Sequence, residues 1–594
     1  MGILKKIVVI LICLPVFMNS FLFSRDSGNW VKETMRKMTL KEKAAQMIFH
    51  VVYPNFFNVD DEYYKHLSFL IRDLKIGGFY IFKTPTYDLA YLLNKYQSWS
   101  KVPLLIAADM ESGAGKMITR EKFMGRNLKT FVPEYFSGGG IGFPPLMAVG
   151  ATRSSDFAYQ MGKITAVEAK SVGVHFNFSP VLDINNNPDN PIINFRSFGE
   201  NAKLVKELGA AYIKGCQDAG MIATAKHFPG HGDTSTDTHI ERPVSNFDMV
   251  RLEKLELKPF YEAISSGVKA IMSVHMALPE ITGHKKPATL SKEILTDLLR
   301  KKMGFKGLII TDGMVMGGIT NEYDDKTSSV EAVRAGADIL LYLSKPEDGV
   351  DAIVNAVRKG EISQKRIEES VKRILEAKKW AGLDKSKKTD LDQIENVLGS
   401  KTNRKVAQQI ADNSVTLLKN SNNILPLKKE KDYYFLRIFE KKYVHDGWFL
   451  KRYLEDHINI KGDFTLTQDS NGENIREIAE KIPPNSDIIC PFFIYIGAWK
   501  GKSSIPVHII EFLKELKAKN CNIVSIAFGN PYIYRDISFS SAYLCSYYST
   551  RELEIATANI LLGDSDPKGK FPVSIPGYFK FGEGLKFNNK RGEK

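Results

Sequence analysis

From Thr39 onward the chain alternates short apolar runs with stretches whose apolar positions recur at helical spacing. Thr39 and Glu42 have the spacing of a capping box and mark the start of the first helix. The runs are Ala45 to Val52, Gly77 to Phe82, Leu104 to Ala108, Val174 to Ile184, Ile222 to Phe228, Ala270 to Met276, Gly307 to Thr311 and Asp338 to Leu343. They are apolar at successive positions rather than at alternate ones, which suits parallel strands covered on both faces. Eight such units within about 340 residues predict an α/β fold, a (β/α)8 TIM-like barrel, over residues 25–380.

The polar, Lys- and Asp-rich stretch 381–404 reads as a linker or wrapping segment. Beyond it, over 405–585, apolar runs recur at Tyr433 to Phe439, Phe464 to Thr467, Ile488 to Ile496, Ile523 to Phe528 and Ala542 to Tyr548. Helical patterns at Val507 to Lys519 and Glu552 to Leu562 separate the later ones, so a smaller α/β sandwich with a mixed or parallel sheet is expected. Residues 586–594 form a polar tail.

Polar residues end the barrel runs: Asp109, Asp183, Lys226 with His227, His275 and Asp312. In a barrel these exits share one face, so residues far apart in sequence converge on one pocket. After the fifth run, KHFPGHGDTSTDTH from Lys226 to His239 packs three His and two Asp into fourteen residues. Two chemistries fit it. His227, His231, Asp233, Asp237 and His239 could ligate zinc or iron; alternatively, Asp237 fixes the tautomer of His239 and leaves its other ring nitrogen to exchange a proton.

That motif, with ADMES at Asp109, NFRSFGEN around Arg196 and GFKGLIITDGMVMGGI around Asp312, resembles family 3 of the glycoside hydrolases, in its β-N-acetylglucosaminidase branch. Weaker echoes of the family's second domain occur at VTLLKNSNNILPL from Val415, FGNPY from Phe528 and GKFPVSIPG from Gly569. The resemblance implies a metal-independent, cofactor-free, retaining exo-enzyme acting on amino-sugar glycans such as peptidoglycan fragments. It assigns Asp312 as nucleophile, and His239 backed by Asp237 as acid/base. Asp109, Arg196, Lys226 and His227 become sugar contacts, with Arg196 as a fork donor. A β-glucosidase or β-xylosidase of the same family and a non-catalytic carbohydrate-binding envelope protein are the rival readings. The sequence departs from the family pattern after Glu111, where a basic stretch of about 117–137 looks like an insertion; Arg120 or Arg126 would replace an Arg the family has nearby.

Composition adds less. With 43% hydrophobic and 25% charged residues among 594, the chain is globular and not disordered. The net charge of +14 goes with Lys residues spread along the chain, without the dense basic run interleaved with aromatics that nucleic-acid binding calls for; a Lys-rich proteome or an anionic cell envelope is the better match. Lys5 and Lys6 followed by Ile7 to Phe17 read as a secretory signal over residues 1–24, hence export, with an uncleaved anchor as the alternative. Cys216, Cys490, Cys521 and Cys545 lack CxxC spacing and indicate neither a disulfide framework nor a zinc ribbon.

Overall fold

The computed structural model describes residues 27–82, 84–116, 139–440, 446–501 and 503–587. The expected signal segment, the insertion with Arg120 and Arg126, and the tail from residue 588 lie outside the described residues. The helix Leu40–Gln46 opens with the expected capping box: the Glu42 amide donates to the Thr39 hydroxyl, and the Glu42 carboxylate accepts from the Thr39 amide.

Eight parallel strands then close a barrel in chain order: β1 (Ile48–Val52), β2 (Gly78–Ile81), β3 (Leu105–Ala108), β4 (Phe176–Asn177), β5 (Ile222–Phe228), β6 (Ala270–Ser273), β7 (Leu308–Gly313) and β8 (Ile339–Leu341). Closure is made by β1 on β8, with Ile48 and Phe49 opposite Leu340 and Leu341. Each strand falls within or against one of the eight apolar runs. The fourth run yields the shortest strand because Pro180, which has no N–H to donate, interrupts the ladder. The chain nevertheless stays buried there and rejoins the sheet where Val181 bridges Lys226. Around the barrel the helices Ser155–Ser171 and Ala202–Asp218 touch most closely, and a Cβ on Gly162 would lie 2.3 Å from the Tyr212 carbonyl oxygen.

The 381–404 stretch wraps the barrel. Asn94 exchanges two hydrogen bonds of 2.8 Å with the backbone of Thr389, and Gly399 N–H donates to the buried Glu168. The next helix, Lys401–Ser414, starts inside the segment expected to be linker, capped by Ser400; its largely polar surface hides the buried Ala407, Ile410 and Ala411. Glu168 also accepts from Ile141 N–H, and burial raises its pKa to about 7. Ser112 and Gly115 pair with Phe143 and Ile141, so the chain leaves for the insertion and returns from it at one place.

A second sheet follows, made of β9 (Thr416–Asn420), β10 (Asp432–Phe439), β11 (Asn459–Leu466), β12 (Asp487–Ile494), β13 (Asn522–Gly529) and β14 (Ala542–Cys545). Its order is β11-β10-β12-β13-β14-β9, parallel except for β9, which runs antiparallel to β14 at one edge. The helices Val507–Ala518 and Arg551–Leu562 match the expected patterns. Met147, Ala148, Ala151 and Phe195 of the first unit pack into the same core as Tyr532, Phe571 and Val573 of the second. Asn185 donates to the Tyr532 hydroxyl and Asn194 to Asn530 across the same boundary.

Candidate active site

Residues at the exits of β1, β2, β3, β5, β7 and β8 line one cavity of about 1110 Å³. Tyr53, Phe82, Asp109, Lys226 with His227, Asp312 and Tyr342 line it; Tyr495, Trp499 and Tyr548 of the second unit close the remaining side. A cleft of this size, with aromatic walls and a few convergent charges, suits a small polar ligand with apolar faces.

On one side the charges are locked together. The Lys226 ammonium lies 2.6 Å from Asp109 and 2.7 Å from Glu111, and Glu111 accepts a two-pronged bond from Arg196 Nε and Nη2 at 2.9 and 2.7 Å. Burial opposes the charges of Glu111, Lys226 and Arg196, yet their mutual attraction wins: the Glu111 carboxyl is held far below the usual carboxylate range, and the Lys226 and Arg196 pKa values are raised. The Tyr80 hydroxyl donates to the other Asp109 oxygen at 2.8 Å. Arg196, expected as a fork donor, lines the cavity and closes its fork on Glu111, a residue the sequence motif contains without revealing this part.

Asp183 is buried and accepts from the His227 backbone and ring (Nδ1 at 2.6 Å) and from the His231 N–H at 2.7 Å. His227 thereby keeps Nε2 free of this carboxylate. His231 is buried between Thr234 and Thr238, and burial lowers its pKa to about 4. Gly232 has to be glycine, since a Cβ would sit 1.7 Å from the Ile184 carbonyl oxygen.

Asp312 is the penultimate residue of β7, its Oδ1 accepting from Gly313 N–H at 2.7 Å. Burial would raise its pKa, but nearby His227, His275 and His239 and the Gly313 amide hold it at about 2. His275 donates from Nε2 to the Gly313 carbonyl at 3.0 Å, so its Nδ1 is the acceptor facing Thr289. Burial depresses its pKa.

His239 Nδ1 lies 2.7 Å from Asp237 Oδ1, which also accepts from the His239 amide. The loop bearing this pair is tied to the exit of β7: Gly317 N–H donates to the His239 carbonyl and Gly318 N–H to that of Thr238, an approach that a Cβ at either glycine would block. Asp237 Oδ2 accepts from Trp499 N–H at 2.8 Å, and the Trp499 ring lies 5.6 Å from the His239 ring. Burial would raise the Asp237 carboxyl; its bonds to His239 and Trp499 bring it below the usual range.

The five candidate metal ligands do not converge. Asp233 pairs with Arg251, His227 and His231 share Asp183, and Asp237 takes His239. Among the described residues, no group of three or more His, Cys, Asp or Glu side chains is placed to hold a metal ion.

Residues 39–377 match the glycosyl hydrolase family 3 N-terminal domain, and residues 415–590 match the family's C-terminal domain. The chain belongs to glycosyl hydrolase family 3. It is a glycoside hydrolase, with a carbohydrate as substrate. A relative from Cellulomonas fimi, a β-N-acetylglucosaminidase/β-glucosidase, is 26% identical over 578 residues, covering 93% of this chain and 97% of its own. β-Hexosaminidase A of Pseudoalteromonas piscicida is 31% identical over 393 residues, 61% of this chain and 62% of that one. Among solved structures, a family 3 β-N-acetylglucosaminidase from Paenibacillus sp. superposes with a TM-score of 0.76 at 29% identity, covering 91% of this chain and 99% of the other. The family assignment and the two-unit fold therefore agree with the sequence reading.

Proposed function

We propose that this hydrolase removes terminal β-linked N-acetylhexosamine from glycans such as peptidoglycan fragments, with retention of configuration. The observation that carries the reading is the Asp237–His239 pair on the wall of the cavity that holds the ionised Asp312. A retaining glycosidase needs a carboxylate to attack the anomeric carbon and a second group that first gives and later takes a proton. Asp312 at a pKa of about 2 is charged at any working pH and supplies the first.

His239 supplies the second. With Asp237 accepting from Nδ1, the proton on Nε2 is the one directed to the leaving oxygen. As Asp312 bonds to the anomeric carbon, the glycosidic C–O bond breaks and its oxygen takes that proton. Water then attacks the glycosyl-enzyme, its proton goes to Nε2, and Asp312 departs. Asp109, held by Lys226 and Tyr80, and His227, held by Asp183, suit sugar hydroxyls, while Arg196 acts through Glu111. The names of the relatives support an N-acetylated sugar, and that of the Cellulomonas fimi protein keeps β-glucosides in view. Export, by the reading of residues 1–24, would bring the enzyme to cell-wall glycans.

The test is hydrolysis of aryl N-acetyl-β-glucosaminide and aryl β-glucoside side by side by EDTA-treated protein, with early product followed by proton NMR. The N-acetylated substrate should be preferred, EDTA should leave the rate unchanged, and the β anomer should appear first. Appearance of the α anomer first would remove Asp312 from the nucleophile's role.

A further inference from the structure

The loop after β12, Gly497 to Gly501, belongs to the second unit yet reaches the dyad. It forms a turn in which Lys500 N–H donates to the Gly497 carbonyl, with Trp499 at φ +66°. A non-glycine residue in the left-handed region is strained, so the surroundings must hold it there. On the barrel side the hold is Trp499 N–H on Asp237 Oδ2. On the other side Lys500, largely buried, donates to the Tyr495 carbonyl and forms an ion pair with Glu440 just beyond β10. The Ser503 hydroxyl donates to the same carbonyl at 2.6 Å.

We propose that the Glu440–Lys500 ion pair is a positioning element for proton transfer, holding Trp499 N–H on Asp237 and thereby fixing the orientation of His239. A carboxylate gripped at one oxygen can swing about its Cβ–Cγ bond; gripped at both, it presents a fixed plane to the imidazole. His239 Nδ1 and the His239 amide hold Oδ1, both from the same loop, whereas Oδ2 is held from the other unit. Proton transfer thus depends on how the second unit seats its loop, and attack by Asp312, whose own bond is to Gly313, does not. This rests on the acid/base reading of Asp237 and His239.

The test is Lys500→Met in the full chain, assayed on N-acetyl-β-glucosaminides with dinitrophenyl and with alkyl leaving groups. Groups that orient a reactive side chain are typically worth about 10–100-fold, and a loss of that size is expected for the alkyl glycoside. The dinitrophenyl substrate, whose leaving group departs without protonation, should change by less than about threefold. Lys500→Arg should restore most of the loss. Glu440→Gln gives the same comparison should Lys500→Met fail to fold, as judged by circular dichroism. Trp499→Gly keeps the N–H and suits the left-handed backbone, so it should preserve the ratio between the two leaving groups. An equal loss on both substrates, or no loss on either, overturns the proposal. If His239→Ala discriminates between leaving groups while Lys500→Met and Glu440→Gln do not, this inference alone falls. If His239→Ala does not discriminate, the acid/base reading falls and the inference with it.

Discussion

The charged residues at the exits of β3 and β5 are each fixed by several partners, whereas the dyad rides on a loop and is completed from another part of the chain. Lys226 lies between Asp109 and Glu111, and Arg196 grips Glu111 with two nitrogens. Asp237 has one partner residue within its own loop and one across the boundary. Under the proposed roles the difference is one of support: the groups that would hold a sugar are fixed within the barrel, while the pair that would give and take a proton draws one of its two partners from the second unit.

The sharpest way to probe that contrast is to remove the group common to both steps. Asp312→Asn should lower the glycosylation rate at least about a thousandfold for every leaving group, because covalent attack itself is lost. His239→Ala should slow natural or alkyl glycosides by about 10²–10⁴-fold and spare the first step for dinitrophenyl substrates. Asp237→Asn should fall between wild type and His239→Ala. Equal losses across leaving groups in His239→Ala would place the proton donor elsewhere.

On the rigid side, Lys226→Met should cost stability as well as activity. It leaves Glu111 and Asp109 without their shared cation in a buried setting, a change typically worth about 3–5 kcal/mol. Urea unfolding would show it as a lower midpoint; an unchanged midpoint would mean that the network is less dry than its burial implies. The smallest effect expected is a pH effect. The His231 pKa of about 4 lies below its ordinary value near 6.5, so between the two the unfolded chain binds more protons. Stability from His231 is therefore fully present above about pH 6.5 and lost as pH falls through about 4. Its full size is roughly 3 kcal/mol. His231→Asn should flatten part of that slope, measured as unfolding midpoints from pH 7 to 4.

Much of this was legible in the sequence, for identifiable reasons. The barrel strands are buried on both faces and read as unbroken apolar runs, so all eight could be located. β9 was not, because Lys419 and Asn420 are only partly buried and the strand lies at an edge. Asp109, Asp183, Lys226, His227, His275 and Asp312 stand out as polar residues at the ends of apolar runs. Glu111 does not, as it lies three residues beyond β3 and meets two cations from later in the chain, Lys226 of β5 and Arg196 of a helical turn between β4 and β5. Trp499 gives no signal at all in its main contact, which is a backbone N–H that almost any residue could supply. Only its setting between glycines at the end of an apolar run hints at a special turn. Arg196 was found for its fork, but which carboxylate the fork would meet depends on a packing that spacing alone does not reveal.

The antiparallel β9 has a consequence for how copies of this chain behave toward one another. Every residue of β14 is buried, and without β9 its outer row of N–H and C=O groups would form a flat, apolar edge open to pairing with another sheet. The opposite edge, β11, instead carries Lys461 and Asp463 on a strand whose pairing shifts register against β10. At the first edge β9 takes over the exposed position and is itself met from outside by the C-terminal segment, Leu585 N–H donating to the Leu417 carbonyl, while charge and irregularity guard the second; both work against intermolecular strand addition. A Thr416→Pro or Leu417→Pro change in β9 would therefore show itself first as self-association at raised concentration, ahead of any fault in the chemistry.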